Sequence, residues 1–158
     1  MVFLLSLCLL SQQHMNLSDY QHGSLCSYEH DIRVQAEKNG IEPALLAALI
    51  YVESGFYRNA VSSANACGLT QVVPRWTGGP ETKGVKYTCK QLRNPITSIR
   101  VGAEILSYHI RVYAGGNTSK GLCYYNAGTK CITKKGYYKR LGYVKKVMHV
   151  YRLLSDDC

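Results

Sequence analysis

The chain has 158 residues, enough for one domain with a hydrophobic core of its own. Hydrophobic residues make up 46% of it and charged residues 18%, and no apolar run is long enough to predict a membrane-spanning helix. The formal net charge of +9 favours partners that carry negative charge, such as nucleic acid, an anionic envelope or an acidic polysaccharide. Charge alone does not choose among these partners.

The N-terminus and the cysteines indicate export. Residues 1–10, MVFLLSLCLL, resemble the apolar core of a signal peptide, although no basic residue precedes it. With the polar stretch that follows, residues 1–22 are interpreted as a signal-like or loose segment and residues 23–158 as one domain. Loss of the leader would remove Cys8. Six cysteines would remain, without CxxC spacing, which favours disulfides over a zinc site: Cys26, Cys67, Cys89, Cys123, Cys131 and Cys158. Buried free cysteines in a cytosolic protein are the alternative.

Helical signals dominate the rest of the chain. The first predicted helix spans about residues 28–39 and ends at Gly40. Pro43 opens the second helix, whose residues 44–52 are apolar on nearly every face and therefore belong in the centre of the domain. Residues 55–90 are rich in turn formers and are expected to be irregular, with a short hairpin near residues 83–87.

Three further helices are predicted. Apolar residues recur at helical spacing through residues 95–113, and a short helix is expected from Thr118 or Ser119 to Tyr125. The last helix, residues 136–154, has an apolar face and a lysine-rich face. The pattern predicts a mainly α fold with one irregular lobe between the second and third helices.

One acid stands out at the end of the apolar helix. Glu53 follows Val52 and lies near Phe56, so its charged form would be poorly solvated and its pKa should rise. A carboxyl that keeps its proton near neutral pH can act as a general acid. On position alone, a solvent-facing glutamate is the simpler interpretation, because most glutamates are exposed.

Four short motifs that follow one another along the chain favour the catalytic interpretation of Glu53 over the solvent-facing one. They are Glu53-Ser54, then Ser62, then Gly68-Leu69-Thr70-Gln71, and finally Tyr125-Asn126-Ala127-Gly128. Their order and spacing resemble the catalytic domain of the soluble lytic transglycosylases, a lysozyme-like family that cleaves peptidoglycan. The resemblance covers residues 41–131 and implies a mainly α, lysozyme-like α+β fold. The sequence departs from the family at four positions: Asn65 stands for glycine, Thr70 for methionine, Ile105 for tyrosine and Tyr124 for alanine.

The resemblance also implies a mechanism. Ordinary glycosidases use two carboxylates, but only Glu81 is acidic between Glu53 and Glu104. In the family, the single glutamate protonates the bond between N-acetylmuramic acid and N-acetylglucosamine and then accepts the proton of the muramoyl 6-hydroxyl, giving a 1,6-anhydro product. By carry-over, Glu53 is catalytic and no metal or cofactor takes part. Four residues are expected to bind substrate: Ser62, Gln71, Tyr125 and Asn126.

Three other functions remain open. A goose-type-lysozyme-like muramidase would use water in place of the 6-hydroxyl, and a non-catalytic wall-binding or assembly module would keep only the fold. Nucleic-acid binding through the basic last helix is the third, although the central motifs do not require it. Trp76 is either a sugar-stacking ring or a partly buried loop anchor. The expected protein is a monomer acting on peptidoglycan glycan strands, with peripheral envelope contact, and is secreted, periplasmic or phage-associated.

Overall fold

The computed structural model describes residues 5–132 and 141–155, with the backbone alone at Leu141. Short 3₁₀ turns at Pro74–Trp76, Pro80–Thr82 and Gly128–Lys130 interrupt the loops, and a π-helical turn, His109–Tyr113, continues the fifth helix. The described part of the chain contains seven α-helices: α1 (Leu7–His14), α2 (Asp19–Lys38), α3 (Pro43–Ser54), α4 (Cys89–Leu92), α5 (Pro95–Tyr108), α6 (Thr118–Ala127) and α7 (Leu141–Leu153). The mainly helical prediction is confirmed.

Helix α3 forms the centre of the molecule, as its apolar sequence predicts. Seven consecutive residues, from Ala44 to Ile50, are buried, because α2 and α7 both pack against this helix. A smaller cluster under the irregular lobe joins Cys67, Tyr87 and Val101. Burial of apolar surface on this scale is the main force that stabilises the domain.

The N-terminal region is more ordered than the sequence suggested. Residues 1–22 were interpreted as signal-like or loose, but most of the described residues among them are helical: α1 reaches His14 and α2 begins at Asp19. The Ser18 side chain accepts from the Gln21 amide while the Gln21 side chain accepts from the Ser18 amide, which is a capping box that starts α2 early. Leu7 and Leu10 of α1 are buried in the core. Whether the segment is a cleaved signal stays a prediction.

The cysteines pair differently from the expectation that Cys8 leaves with the leader. Cys8 is bonded to Cys26, so α1 is tied covalently to α2. The other two disulfides are Cys67–Cys89 in the irregular lobe and Cys123–Cys131 after α6. Cys158 lies outside the described residues.

The hairpin expected near residues 83–87 is not found, and no strand is formed in the described part of the chain. Two isolated bridges, Val61 with Cys67 and Cys67 with Val72, are the β contacts there. The Thr82 hydroxyl bonds to the Gly78 amide and the Val85 carbonyl, so a side chain satisfies backbone groups that a hairpin would have paired. The lobe is therefore a series of turns.

The later helices agree with the sequence. Helix α5 with its π-helical turn spans the predicted residues 95–113. Helix α6 begins at Thr118, one of the two expected starts, and its N-cap residue is Asn117. The last helix was predicted over residues 136–154, and α7 confirms this for the described residues. Residues 136–140 lie outside the described part of the chain. Among the described residues, none of the helices combines the length and apolar composition that a bilayer crossing requires.

Candidate active site

Glu53 lies in the last turn of α3, which ends at Ser54 and is capped by Gly55 with a left-handed φ of 58°. The next side chain fixes the loop opposite: the Ser54 hydroxyl donates to the Leu69 carbonyl at 2.7 Å. The helix end that carries the acid is thus joined directly to residues 68–71, the GLTQ loop. The two motifs are neighbours in space although a lobe of turns separates them in sequence.

The GLTQ loop has a shape that only glycine permits at its first position. Gly68 has φ +79°, and a Cβ there would lie 1.9 Å from the Leu92 carbonyl oxygen. Thr70 is fully buried, and its hydroxyl donates to the Ser98 carbonyl at 2.8 Å. The methyl and hydroxyl of Thr70 also occupy the space beside Gly102. Thr70 therefore packs against α5, where the longer methionine of the family would need more room.

Two tyrosines from helices distant in sequence interact with Glu53 or with the loop beside it. Tyr143 of α7 donates its hydroxyl to Glu53 Oε1 at 2.5 Å. Tyr125 of α6 donates to the Thr70 carbonyl at 2.7 Å. Burial raises the pKa of both phenols, and the charge of Glu53 raises each pKa further, so both hydroxyls keep their protons.

Burial also changes the acid itself. Desolvation raises the pKa of Glu53 from its usual 4.5 to about 7, although the hydrogen bond from Tyr143 favours the charged form and lowers it. Both the protonated and the ionised form of Glu53 are therefore populated near neutral pH. A group with that pKa can both donate and accept a proton during one reaction cycle.

An aromatic cluster adjoins the site through Tyr125. The His109 ring contacts Tyr125 at 6.1 Å between centroids and stacks on Tyr113 at 5.2 Å. Burial lowers the pKa of His109 to about 4, so the imidazole is neutral, and its Nδ1 has no hydrogen-bond partner among the described residues. The Tyr113 hydroxyl donates to Glu81 at 2.7 Å, which links the π-helical turn to the lobe.

The predicted site residues differ in how they are held. Tyr125 lies close enough to Glu53 for the two to influence each other electrostatically. The Ser62 hydroxyl accepts from two backbone amides of its own turn, and the Gln71 side-chain amide nitrogen donates to the carbonyls of Ala60 and Gly68. Asn126 is exposed in the last turn of α6. Trp76 is 71% exposed, so it is not the partly buried anchor considered above, and its stacking on a sugar stays a prediction.

Tyr143 is the contact that the sequence did not reveal. It borders the buried face of α7, beside Val144. Ile105, where the family has tyrosine, is partly buried and packs against the smaller core cluster. Glu53 nevertheless receives a phenolic hydrogen bond, from Tyr143.

Comparison with known proteins identifies the family of this domain. The model of the transglycosylase SLT domain family matches residues 31–145, and the chain belongs to that family. It is 33% identical over 140 residues to membrane-bound lytic murein transglycosylase C of Actinobacillus pleuropneumoniae, covering 78% of this chain and 38% of that protein. It is 38% identical over 72 residues to endo-type membrane-bound lytic murein transglycosylase A of Salmonella paratyphi B, covering 43% of this chain and 36% of that protein. The chain thus spans less than half the length of these relatives.

Solved structures show the same fold. The 70-kDa soluble lytic transglycosylase in complex with bulgecin A superposes with a TM-score of 0.70 at 21% identity, over 84% of this chain and 25% of that one. An inactive mutant of lytic transglycosylase Slt from Pseudomonas aeruginosa gives 0.63 at 20% identity, over 92% and 25%. At these identities the likeness establishes the fold of the domain.

Proposed function

We propose that this chain is a catalytic domain that cleaves the β-1,4 bond between N-acetylmuramic acid and N-acetylglucosamine in peptidoglycan, leaving 1,6-anhydromuramoyl ends. The observation that carries the proposal is Glu53: a desolvated carboxyl with a pKa of about 7, held by a phenolic hydrogen bond at the end of the central helix. Family membership supports the reaction class.

Glu53 would act twice in the reaction. In its protonated form it donates a proton to the glycosidic oxygen, so that the bond breaks and the N-acetylglucosamine hydroxyl leaves. The resulting carboxylate then accepts the proton of the muramoyl 6-hydroxyl as that oxygen bonds to the anomeric carbon. The substrate supplies the nucleophile, so one carboxyl suffices where most glycosidases need two. Tyr143 holds the carboxyl in place and partly offsets the burial that raises its pKa.

Glu81 and Glu104, the next two acids after Glu53 in the sequence, have partners of their own. Glu81 accepts the hydrogen bond from Tyr113, and Glu104 lies 3.3 Å from the Lys83 ammonium. Neither contact involves Glu53, so the proposal assigns the acid and the base role to Glu53 alone. Among the described residues, one group of histidine, cysteine or acidic side chains is close enough together to hold a metal: Cys8, His22 and Cys26. Glu53 is not part of that group.

The proposed substrate-binding residues are Ser62, Gln71, Tyr125 and Asn126. Tyr125 fits this role best, since its hydroxyl donates to the Thr70 carbonyl of the GLTQ loop and the charge of Glu53 raises its pKa. The proposed partner is the glycan strand of the cell wall, met by a monomer, and exposed Lys145 and Lys146 of α7 would contribute to attraction by anionic wall polymer. A secreted, periplasmic or phage-associated location fits the three disulfides.

Replacement of the acid tests the assignment. Glu53→Gln should lower peptidoglycan cleavage by roughly 100-fold or more, because the amide cannot transfer the proton. Binding to insoluble peptidoglycan should be retained. Glu37→Gln, an exposed glutamate of α2, is the matched control and should cleave like the wild type. Undiminished cleavage by Glu53→Gln would refute the role given to this residue, and absence of cleavage by the wild type would favour the non-catalytic module.

A further inference from the structure

We propose that α1 and α2 carry a redox-dependent metal site, in which Cys8, Cys26 and His22 bind Zn²⁺ once the Cys8–Cys26 disulfide is reduced. These three side chains offer ligand atoms that all lie within 4.8 Å of one another. Two thiolates and an imidazole are ligands that zinc prefers, and water would fill the fourth position. The site is separate from Glu53.

His22 Nε2 already lies about as far from each sulfur as two ligands of one zinc ion lie from each other. His22 Nε2 is 3.6 Å from Cys26 Sγ and 3.9 Å from Cys8 Sγ. In a tetrahedral zinc site with bonds of about 2.3 Å to sulfur and about 2.0 Å to nitrogen, the nitrogen and sulfur ligands are about 3.5 Å apart. Zinc binding would require that the two sulfurs separate, which reduction of their bond allows, and that the imidazole turn until its Nε2 faces the space between them.

A buried serine orients the imidazole for this role. The Ser11 hydroxyl is fully buried and donates to the Cys8 carbonyl at 2.8 Å, which leaves its oxygen free to accept from His22 Nδ1 at 3.2 Å. With the proton on Nδ1, Nε2 is the ring nitrogen left to bind a metal, and it is also the one nearer Cys26 Sγ, at 3.6 Å against 4.0 Å for Nδ1. Metal-ligating histidines are held in the same way, by a hydrogen bond at the ring nitrogen that does not bind the metal.

The framework does not depend on the disulfide alone. His22 and Cys26 are four residues apart on α2 and therefore share one face of that helix. The Glu29 carboxylate accepts from the Leu7 amide at 2.8 Å and the Cys8 amide at 3.1 Å, so it holds the first turn of α1. After reduction, Cys8 would stay beside the two ligands of α2.

The chemistry balances with a dithiol as reductant. The dithiol gives two electrons and two protons to the disulfide and becomes a disulfide itself, while Cys8 and Cys26 become thiols. Zn²⁺ then binds both sulfurs as thiolates, with release of two protons. Disulfide and metal exclude each other, since each uses both sulfurs, and either of them joins α1 to α2.

Cobalt titration of the full chain tests this site. We would use the chain with Cys158→Ser, reduce it, remove the reductant without oxygen and add Co²⁺, whose bonds to thiolate absorb in the near ultraviolet. One Co²⁺ should bind per chain, and Zn²⁺ should displace it. Before reduction the same chain should give no thiolate band. His22→Ala should weaken binding by at least tenfold and Ser11→Ala by about 10- to 100-fold, whereas His30→Ala, an exposed histidine of α2, should bind like the parent chain.

Folding is checked separately. Oxidised His22→Ala keeps the disulfide, so its circular dichroism and melting temperature should match those of the parent chain before its metal binding is compared. No thiolate band in the reduced parent chain would overturn the proposal. So would a band of equal strength in His22→Ala, or one that survives Cys8→Ser/Cys26→Ser, because the metal would then be bound by other sulfurs.

Discussion

The Tyr143 hydroxyl donates a 2.5 Å hydrogen bond to a carboxylate oxygen of Glu53, joining two residues that are 90 positions apart in sequence. The bond lies within the contact between α3 and α7. The position and pKa of the proposed catalytic acid therefore depend on how the last helix packs. A lesion in α7 far from the GLTQ loop should change catalysis.

Removal of that hydroxyl should shift the pH dependence of cleavage. Tyr143→Phe removes a donor that favours the charged form of Glu53, so the pKa of Glu53 should rise above its wild-type value of about 7. A hydrogen bond to a charged group contributes about 1.5–3 kcal/mol, which corresponds to roughly one pKa unit or more. The alkaline limb of kcat/KM should move to higher pH by about that amount, and kcat should fall roughly tenfold as the carboxyl loses its orientation.

Tyr151→Phe is the matched control for this experiment. Tyr151 lies on the same helix and donates to Glu42, an exposed carboxylate outside the proposed site. The control should leave the pH profile of cleavage unchanged. If the two variants have the same profile as the wild type, Tyr143 does not tune Glu53.

The buried acid should also destabilise the folded protein at high pH. Its pKa is raised from 4.5 unfolded to about 7 folded, so the native state binds more protons than the unfolded state between these values and stability falls as pH rises through them. Relative to wild type, Glu53→Gln should gain up to roughly 3 kcal/mol in free energy of unfolding between pH 5 and pH 8. Urea unfolding at the two pH values measures the gain. An equal difference at both would contradict the raised pKa.

Gly68 should be more sensitive to substitution than its conformation alone explains. Gly68 and Gly84 have nearly the same left-handed φ, +79° and +78°, but a Cβ at Gly84 meets no atom within 4 Å. Gly84→Ala should therefore cost only the conformational term, about 1 kcal/mol. Gly68→Ala should cost more than about 3 kcal/mol and abolish cleavage, because the added carbon meets the Leu92 carbonyl at 1.9 Å. Similar unfolding free energies for the two variants would contradict the described packing of the loop.

Reduction of the disulfides should lower the melting temperature. Loss of Cys67–Cys89 through paired serine substitutions should cost about 2–4 kcal/mol, and loss of Cys123–Cys131 about 1 kcal/mol less, because it closes the shorter loop. Melting curves with and without reductant measure the first effect, and urea unfolding of the two variants measures the second. An unchanged melting temperature with all thiols freely titrating in the native protein would contradict the pairing.

The local signals of the sequence predicted the helices more reliably than their contacts. Helix α3 was predictable because Pro43 marks its start and an unbroken apolar run follows. The sequence predicted a helix only from about residue 28, whereas α2 begins at Asp19. Its capping box, Ser18 with Gln21, lies in a polar stretch whose composition is typical of a loop. The prediction of a hairpin was wrong because the Thr82 hydroxyl bonds to the Gly78 amide and the Val85 carbonyl, so these backbone groups do not pair with another strand.

The candidate site was also predictable only in part, because local sequence signals indicate helices more reliably than the contacts between them. Glu53 and Tyr125 belong to motifs with recognisable neighbours, so their place could be inferred. The partner of Glu53 could not, because helical periodicity places Tyr143 at the border of a buried face without indicating which group it meets. Pairing across 90 residues is decided by tertiary packing.

The most direct test of the central claim is mass spectrometry of the glycan ends that the wild-type protein releases from purified peptidoglycan. If Glu53 first protonates the glycosidic oxygen and then activates the muramoyl 6-hydroxyl, the products should carry 1,6-anhydromuramoyl ends, which are lighter than reducing ends by one water. Glu53→Gln should release neither product. Reducing ends alone from the wild type would contradict the account and identify water as the nucleophile, as in a muramidase.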